Sequence, residues 1–187
     1  RSIISTIPIF DLINSLESVP DEVRDALKGL QYNSLIVVMI GLNNEKLTGR
    51  TALYIPDPKI LAHRVCYLKE FSEFNVPEGA SNLIAEITVP PGDAILNWQD
   101  EKLVNRVASD LKDIGDFAKE DIIVSDVKRI KYAYVVYDLN YEKNTGIIYD
   151  YLDQLGIHYA GRFGSFQYLN MDATVKMSKE LVEKINE

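Results

Sequence analysis

Gly161-Arg162-Phe163-Gly164-Ser165-Phe166-Gln167-Tyr168-Leu169-Asn170-Met171-Asp172 is the stretch that decides how this chain is read. It lies between a predicted strand, Ile157 to Ala160, and a predicted helix from about Asp172 to Asn186. Gly161 and Gly164 lack a Cβ, so the backbone can come close to a ligand at both. Arg162 between them can fork two N–H donors onto a phosphate. The helix that follows turns its unsatisfied amides back toward the loop, where negative charge is stabilised. Together these features suit an anionic cofactor. The same residues also suit a tight strand–loop–helix connection with a surface arginine, and a short glycine motif alone does not choose between the two.

Moving outward from the loop, the hydrophobic period changes along the chain. Ile3 to Ile7 predicts a short strand ended by Pro8. Two short helices follow, Ile9 to about Glu17 and Asp21 to Lys28, the second started by Pro20 and stopped by Gly29. Asn33 to Leu42 predicts a strong strand, and Asn43 to Gly49 a turn. Ala52 to Ile55, Arg64 to Tyr67 and Ser81 to Val89 are further strands, with Phe71 to Ala80 a loop. The apolar spacing then becomes helical: Leu103, Val104, Val107, Leu111 and Ile114 share one face of a helix over about Asp100 to Ile114, with Gly115 as its stop. Ile122 to Val127 and Ile130 to Val136 predict two more strands, and Tyr141 to Leu155 a helix ended by Gly156. Short strands joined by turn residues predict an α+β fold, a mostly antiparallel sheet with flanking helices. The two ends, Ser2 to Ile7 and Ile157 onward, read as pieces of a second structure.

Composition narrows the function classes. A chain of 187 residues, 47% hydrophobic and 26% charged, is long enough for a core and too apolar for disorder. The net charge of -8 argues against nucleic acid, whose phosphates attract basic surfaces. The longest apolar run, Leu35 to Ile40, is far short of the ~18 residues of a membrane span. One cysteine, Cys66, and two histidines, His63 and His158, argue against a structural zinc site, so no metal is expected, and a reducing cytoplasm is the natural location. Eight of the 11 tyrosines lie between Tyr132 and Tyr168.

The loop at 161–172 resembles the carboxy-terminal flavin-binding motif of UDP-galactopyranose mutases and their protoporphyrinogen-oxidase-like relatives, within the FAD-dependent amine oxidase superfamily. The mutases carry a Gly-Arg-Leu-Gly…Tyr-x-Tyr-Leu-Asp-Met-Asp version; Phe163, Phe166 and Asn170 depart from it. Ser5-Thr6-Ile7-Pro8 is similar to the point where that family leaves its FAD domain, and Tyr54 to Pro77 to a sheet segment bearing a substrate arginine. Tyr137-Asp138-Leu139-Asn140-Tyr141-Glu142-Lys143-Asn144 is similar to a Tyr-Pro…Glu-Lys-Asn segment, with Asp138 in place of the proline.

The resemblance implies roles by position. Gly161, Arg162 and Gly164 would meet the FAD pyrophosphate, and Asn170 and Met171 would lie beside the flavin ring. Arg64, Tyr137 and Tyr168 would hold a small-molecule substrate, with a UDP-sugar as the first candidate; Tyr134 takes the place of Tyr137 if the alignment slips. No residue is assigned a catalytic role. A phenol donates to a phosphate without adding charge, and an arginine neutralises part of it. Ordinary strand packing equally accounts for Tyr132, Tyr134 and Tyr137, and an exposed salt bridge for Arg64. His63 reads as a strand residue or a proton carrier, His158 as structural, Cys66 as a small buried apolar group, and Trp98 as a helix anchor. Asp110, Asp113, Asp116, Glu120 and Asp121 read as a solvated acidic face.

No Gly-x-Gly-x-x-Gly run is present, although a dinucleotide-binding half needs one. With the opening at Arg1, this predicts the carboxy-terminal part of a longer flavoprotein, whose Rossmann-like FAD domain lies before Arg1. The expected division is a returning strand at 1–8, a substrate-binding domain at 9–156 and a FAD-motif segment at 157–187. Three functions follow: a mutase-like isomerase, an oxidoreductase of the protoporphyrinogen oxidase or amine oxidase type, and a non-catalytic binding or assembly domain. A severed piece would be inactive alone and would hold FAD weakly or not at all.

Overall fold

The structure is a computed structural model that describes residues 3–45, 49–112, 114 and 118–186. Ser2 of the first strand, residues 46–48 of the turn after Leu42, the helix stop at Gly115, and Asp113 and Asp116 of the acidic run lie outside the described residues. In chain order the elements are β1 (Ile3–Ser5), α1 (Ile9–Ser15), α2 (Asp21–Gly29), β2 (Gln31–Leu42), β3 (Ala52–Tyr54), β4 (Arg64–Cys66), β5 (Ser81–Val89), α3 (Asp100–Leu111), β6 (Ile122–Val136), α4 (Tyr141–Gln154), β7 (Ile157–Tyr159) and α5 (Met171–Asn186). The fold is α+β, as the strand and helix signals predict. The chain divides into two compact units, Arg1–Asn33 with Tyr132–Glu187, and Ser34–Lys131.

The unit Ser34–Lys131 is built on an antiparallel sheet. The strand order is β3-β4-β5-β2-β6. Alternate residues of a strand face opposite sides. Ile36, Val38 and Ile40 of β2 are therefore buried beside their β5 partners Ile87, Ala85 and Leu83. The helix α3 completes this core with Leu103, Val107 and Leu111, spaced four apart on one face. A fully buried Leu or Val contributes about 1.5–3 kcal/mol, so the alternation fixes the register.

Two sequence readings change here. The strands predicted at Ile122 to Val127 and Ile130 to Val136 are one strand, β6. Lys128 and Arg129 interrupt the apolar pattern without ending the strand, because β6 lies at an edge where charged side chains reach water. The loop predicted at Phe71 to Ala80 includes a 3-10 turn, Glu73–Asn75, capped by the Ser72 hydroxyl.

In the other unit, α1, α2 and α4 pack around Ile9, Ile13, Val23, Leu27, Ile148, Leu152 and Phe166. Strands β1 and β7, from the two ends of the chain, pair in parallel, Ile3 opposite Ile157 and Ser5 opposite Tyr159. The side chain of Asn144 packs against Gly29, where a Cβ would collide with it. No helix among the described residues is long and apolar enough to cross a membrane.

Candidate functional site

The loop after β7 is fixed by its own backbone. Gly161 has φ +92, a left-handed conformation that strains any side chain, and open space lies where its Cβ would be. Gly164 is needed for a different reason: a Cβ there would run into the Ala160 carbonyl oxygen. One glycine therefore leaves room for a visitor, and the other closes a tight turn. The Ser165 N–H and hydroxyl both donate to the Gly161 carbonyl at 2.8 Å, and the Gln167 N–H donates to the Arg162 carbonyl at 2.8 Å.

Phe166 anchors the turn. It is fully buried, although its φ of 46 is unusual for a bulky residue. Its ring packs edge-on against Phe10 and Phe163 and stacks with Tyr141. The Tyr141 hydroxyl donates to the Phe166 carbonyl at 2.8 Å, and the Tyr149 hydroxyl to the Ser165 carbonyl. Burial pushes the phenols of Tyr141, Tyr149 and Tyr159 upward, so all three are proton donors at neutral pH.

Arg162 is half-buried rather than a free surface arginine. Its guanidinium carbon lies 4.2 Å from the centre of the Tyr168 ring and 5.2 Å from that of Tyr134. One terminal nitrogen donates to the Ala133 carbonyl at 2.8 Å, and the other reaches the Leu169 carbonyl at 3.4 Å. Its Nε–H is buried without a hydrogen-bond partner. Among the described residues its partners are neutral carbonyls and rings, and no carboxylate there cancels the positive charge. Tyr168 and Tyr137 join at the same place: the Tyr168 N–H donates to the Tyr137 hydroxyl at 2.7 Å, and both rings are partly exposed. Asn170 starts α5, its carbonyl accepting the Thr174 N–H and hydroxyl, and Met171 is exposed at the first turn. The loop, Tyr137, Tyr168, Asn170 and Met171 thus belong to one unit.

Arg64 belongs to the other unit. It stands opposite Glu86 in the β4–β5 ladder, and one terminal nitrogen meets both Glu86 oxygens at 2.6 Å. Its other terminal nitrogen is 3.3 Å from the Tyr54 hydroxyl. This is the salt bridge that the sequence left open, but it is partly buried rather than exposed. Cys66, on the same strand, is partly buried; desolvation raises its thiol, and Arg64 offsets part of that. His63 Nδ1 lies 3.4 Å from the Thr88 hydroxyl, a long contact. Trp98 anchors the approach to α3: Lys102 lies 3.6 Å over its ring and Arg129 holds its carbonyl. His158 lines a cavity of about 200 Å³ with Tyr149, Tyr159 and Lys184. Among the described residues no cluster of His, Cys, Asp and Glu could hold a metal ion.

Sequence reasoning placed Tyr134 only as a substitute for Tyr137, and it missed the hydroxyl roles of Tyr141 and Tyr149. The signal for Tyr134 was alternation. Tyr132 and Tyr134 are two apart on β6, so they share a face, where Tyr132 stacks on Phe10 and Tyr134 on Tyr168.

This fold is one that solved enzymes share. A reduced UDP-galactopyranose mutase matches with a TM-score of 0.78 at 21% identity, covering 89% of this chain and 36% of its own. A protein from Exiguobacterium sp. 255-15 assigned as a protoporphyrinogen oxidase matches with a TM-score of 0.77 at 18% identity, covering 98% of this chain and 40% of its own. An oxidoreductase from Methanosarcina mazei matches with a TM-score of 0.62 at 14% identity, covering 97% and 42%. The chain therefore spans about two fifths of the length of these structures. At such identities the likeness is one of fold. No protein-family model and no curated protein matches the chain.

Proposed function

We propose that this chain supplies the substrate-side domain and the carboxy-terminal cofactor loop of an FAD-dependent enzyme, mutase-like in its first reading. The observation that carries the proposal is Arg162. Its guanidinium is pre-oriented between two tyrosine rings beside the start of α5, and among the described residues its buried Nε–H has no hydrogen-bond partner and no carboxylate pairs with it. That donor set fits an anionic group of the pyrophosphate kind.

In this reading Arg162 and the open side of Gly161 hold the cofactor phosphates, and the first turn of α5, from Asn170 and Met171, faces the flavin. Gly164 keeps the loop closed. Tyr137 and Tyr168 donate to the substrate from their exposed edges; Arg64, in the other unit, meets a diphosphate only if it competes with Glu86. When bound, the flavin supplies the electron-rich centre for sugar ring contraction or the acceptor for hydride. The division by role, 1–8, 9–156 and 157–187, belongs to this proposal, as does an FAD-binding half encoded before Arg1. A reducing cytoplasm suits the single Cys66.

The oxidoreductase reading is kept because Phe166, Asn170 and Asp138 depart from the mutase pattern. One preparation separates the two. The protein expressed from the complete reading frame, chemically reduced, is titrated with UDP and assayed for interconversion of UDP-galactopyranose and UDP-galactofuranose. UDP binding with interconversion supports the mutase. No UDP binding, together with anaerobic flavin bleaching by an amine or a porphyrinogen, replaces it with the oxidoreductase. A protein that holds no flavin defeats both.

A further inference from the structure

We propose that the outer edge of β6 is a self-association surface, pairing antiparallel with the same strand of a second copy in a register centred on Val127. Among the described residues β6 ends the sheet and no strand pairs with its far side, which leaves the backbone donors and acceptors there without a ladder partner. It also presents apolar side chains: Ile123 and Val124 are each 62% exposed and Ile130 is 43% exposed. An edge this apolar is a pairing template unless something blocks it.

The sequence of the edge selects the partner. In a two-fold antiparallel pair centred on Val127, Asp126 of one copy opposes Lys128 of the other, and the symmetry makes this contact twice. Val124 then opposes Ile130, also twice. Centring the pair on Asp126 or on Lys128 instead would oppose like charges, which destabilises a cross-strand pair. The two charges already lie within reach on one face, since Lys128 Nζ is 2.8 Å from Asp126 within the strand. The neighbouring cation is spoken for, because Arg129 is held by Asp100 at 2.7 Å. The Val127 N–H donates to the Asp126 carboxylate at 2.9 Å, so a side chain occupies that donor in the single chain. On pairing, Asp126 turns to the second copy's Lys128, and the Val127 N–H becomes available to the facing strand. Lysine on an edge strand usually discourages association; here its charge admits one register and resists the adjacent ones.

The test uses sedimentation velocity on the protein expressed from its complete reading frame, over a dilution series from high micromolar protein. The wild type is expected to be a reversible dimer. Asp126→Lys and Lys128→Asp are each expected to weaken it about tenfold or more, since each replaces two attractive pairs by two repulsive ones. An equimolar mixture of these two variants is expected to form a heterodimer, because every Lys then meets an Asp; circular dichroism shows that each variant is folded. A monomeric wild type overturns the proposal. So does a dimer indifferent to either reversal, or a mixture that stays monomeric. Slow amide exchange at 123–131 in a monomer would show that the chain's own residues cover the edge, and would overturn it equally.

Discussion

Among the described residues two arginines are partly buried, in sites of opposite electrostatic character. Arg64 faces Glu86, and the carboxylate takes up its charge at 2.6 Å. Arg162 has tyrosine rings and peptide carbonyls as its partners among the described residues, and these orient a guanidinium without neutralising it. A matched ion pair serves the sheet, whereas in the proposed function a cation set among neutral groups would meet an anion from outside. Residue type alone does not separate these roles; the residue across the ladder does.

The largest expected effect tests how the Arg162 loop is held. Phe166→Ala removes a fully buried ring and is expected to cost about 3–5 kcal/mol in urea unfolding. A loss below about 1 kcal/mol would mean that the loop does not depend on this anchor. Gly164→Ala is next, at about 1–3 kcal/mol, because the collision at 164 is with backbone that cannot rotate away. Gly161→Ala meets no atom and pays only for its positive φ, about 1–2 kcal/mol. If the order at 161 and 164 were reversed, the different roles assigned to the two glycines would be wrong.

For Arg64, Glu86→Ala leaves a guanidinium without its carboxylate. The cost is expected at about 1–2 kcal/mol, below that of a fully buried pair because Arg64 keeps partial contact with solvent. The same substitution is expected to improve anion binding at Arg64, read as phosphate protection of Arg64 from guanidine-directed modification. No gain would mean that Glu86 is not what occupies Arg64.

The smallest effect at neutral pH is alkaline. Tyr141, Tyr149 and Tyr159 have folded pKa values raised above the unfolded value of about 10. The folded state therefore keeps protons that the unfolded state sheds. Their contribution is complete below about pH 10 and is lost as pH rises toward the folded values. Phenolate absorbance should show these three ionising only as their unit unfolds. Early, reversible ionisation of all 11 tyrosines would contradict their burial.

Much of this was legible in the sequence where patterns are local. Short strands joined by turn residues and the spacing of Leu103, Val107 and Leu111 foretold the sheet and its helix. The last helix was expected from about Asp172, and α5 begins one residue earlier, at Met171. What stayed hidden was non-local or masked by charge. Lys128 and Arg129 broke the apolar run of β6, yet an edge strand tolerates them. The parallel pairing of β1 with β7 joins residues 3 and 157, and neither segment names its partner. Glu86 opposite Arg64 depends on a strand register that composition cannot give. Gly161 and Gly164 look alike in sequence and differ only in what surrounds the missing Cβ.

The most direct measurement is the flavin content of the protein expressed from its complete reading frame, for the wild type, Arg162→Leu and Arg64→Leu, read from the visible absorption spectrum after purification. The account predicts bound FAD in the wild type and in Arg64→Leu, and most of it lost in Arg162→Leu. Equal flavin in the wild type and Arg162→Leu, or none in any of the three, would contradict it.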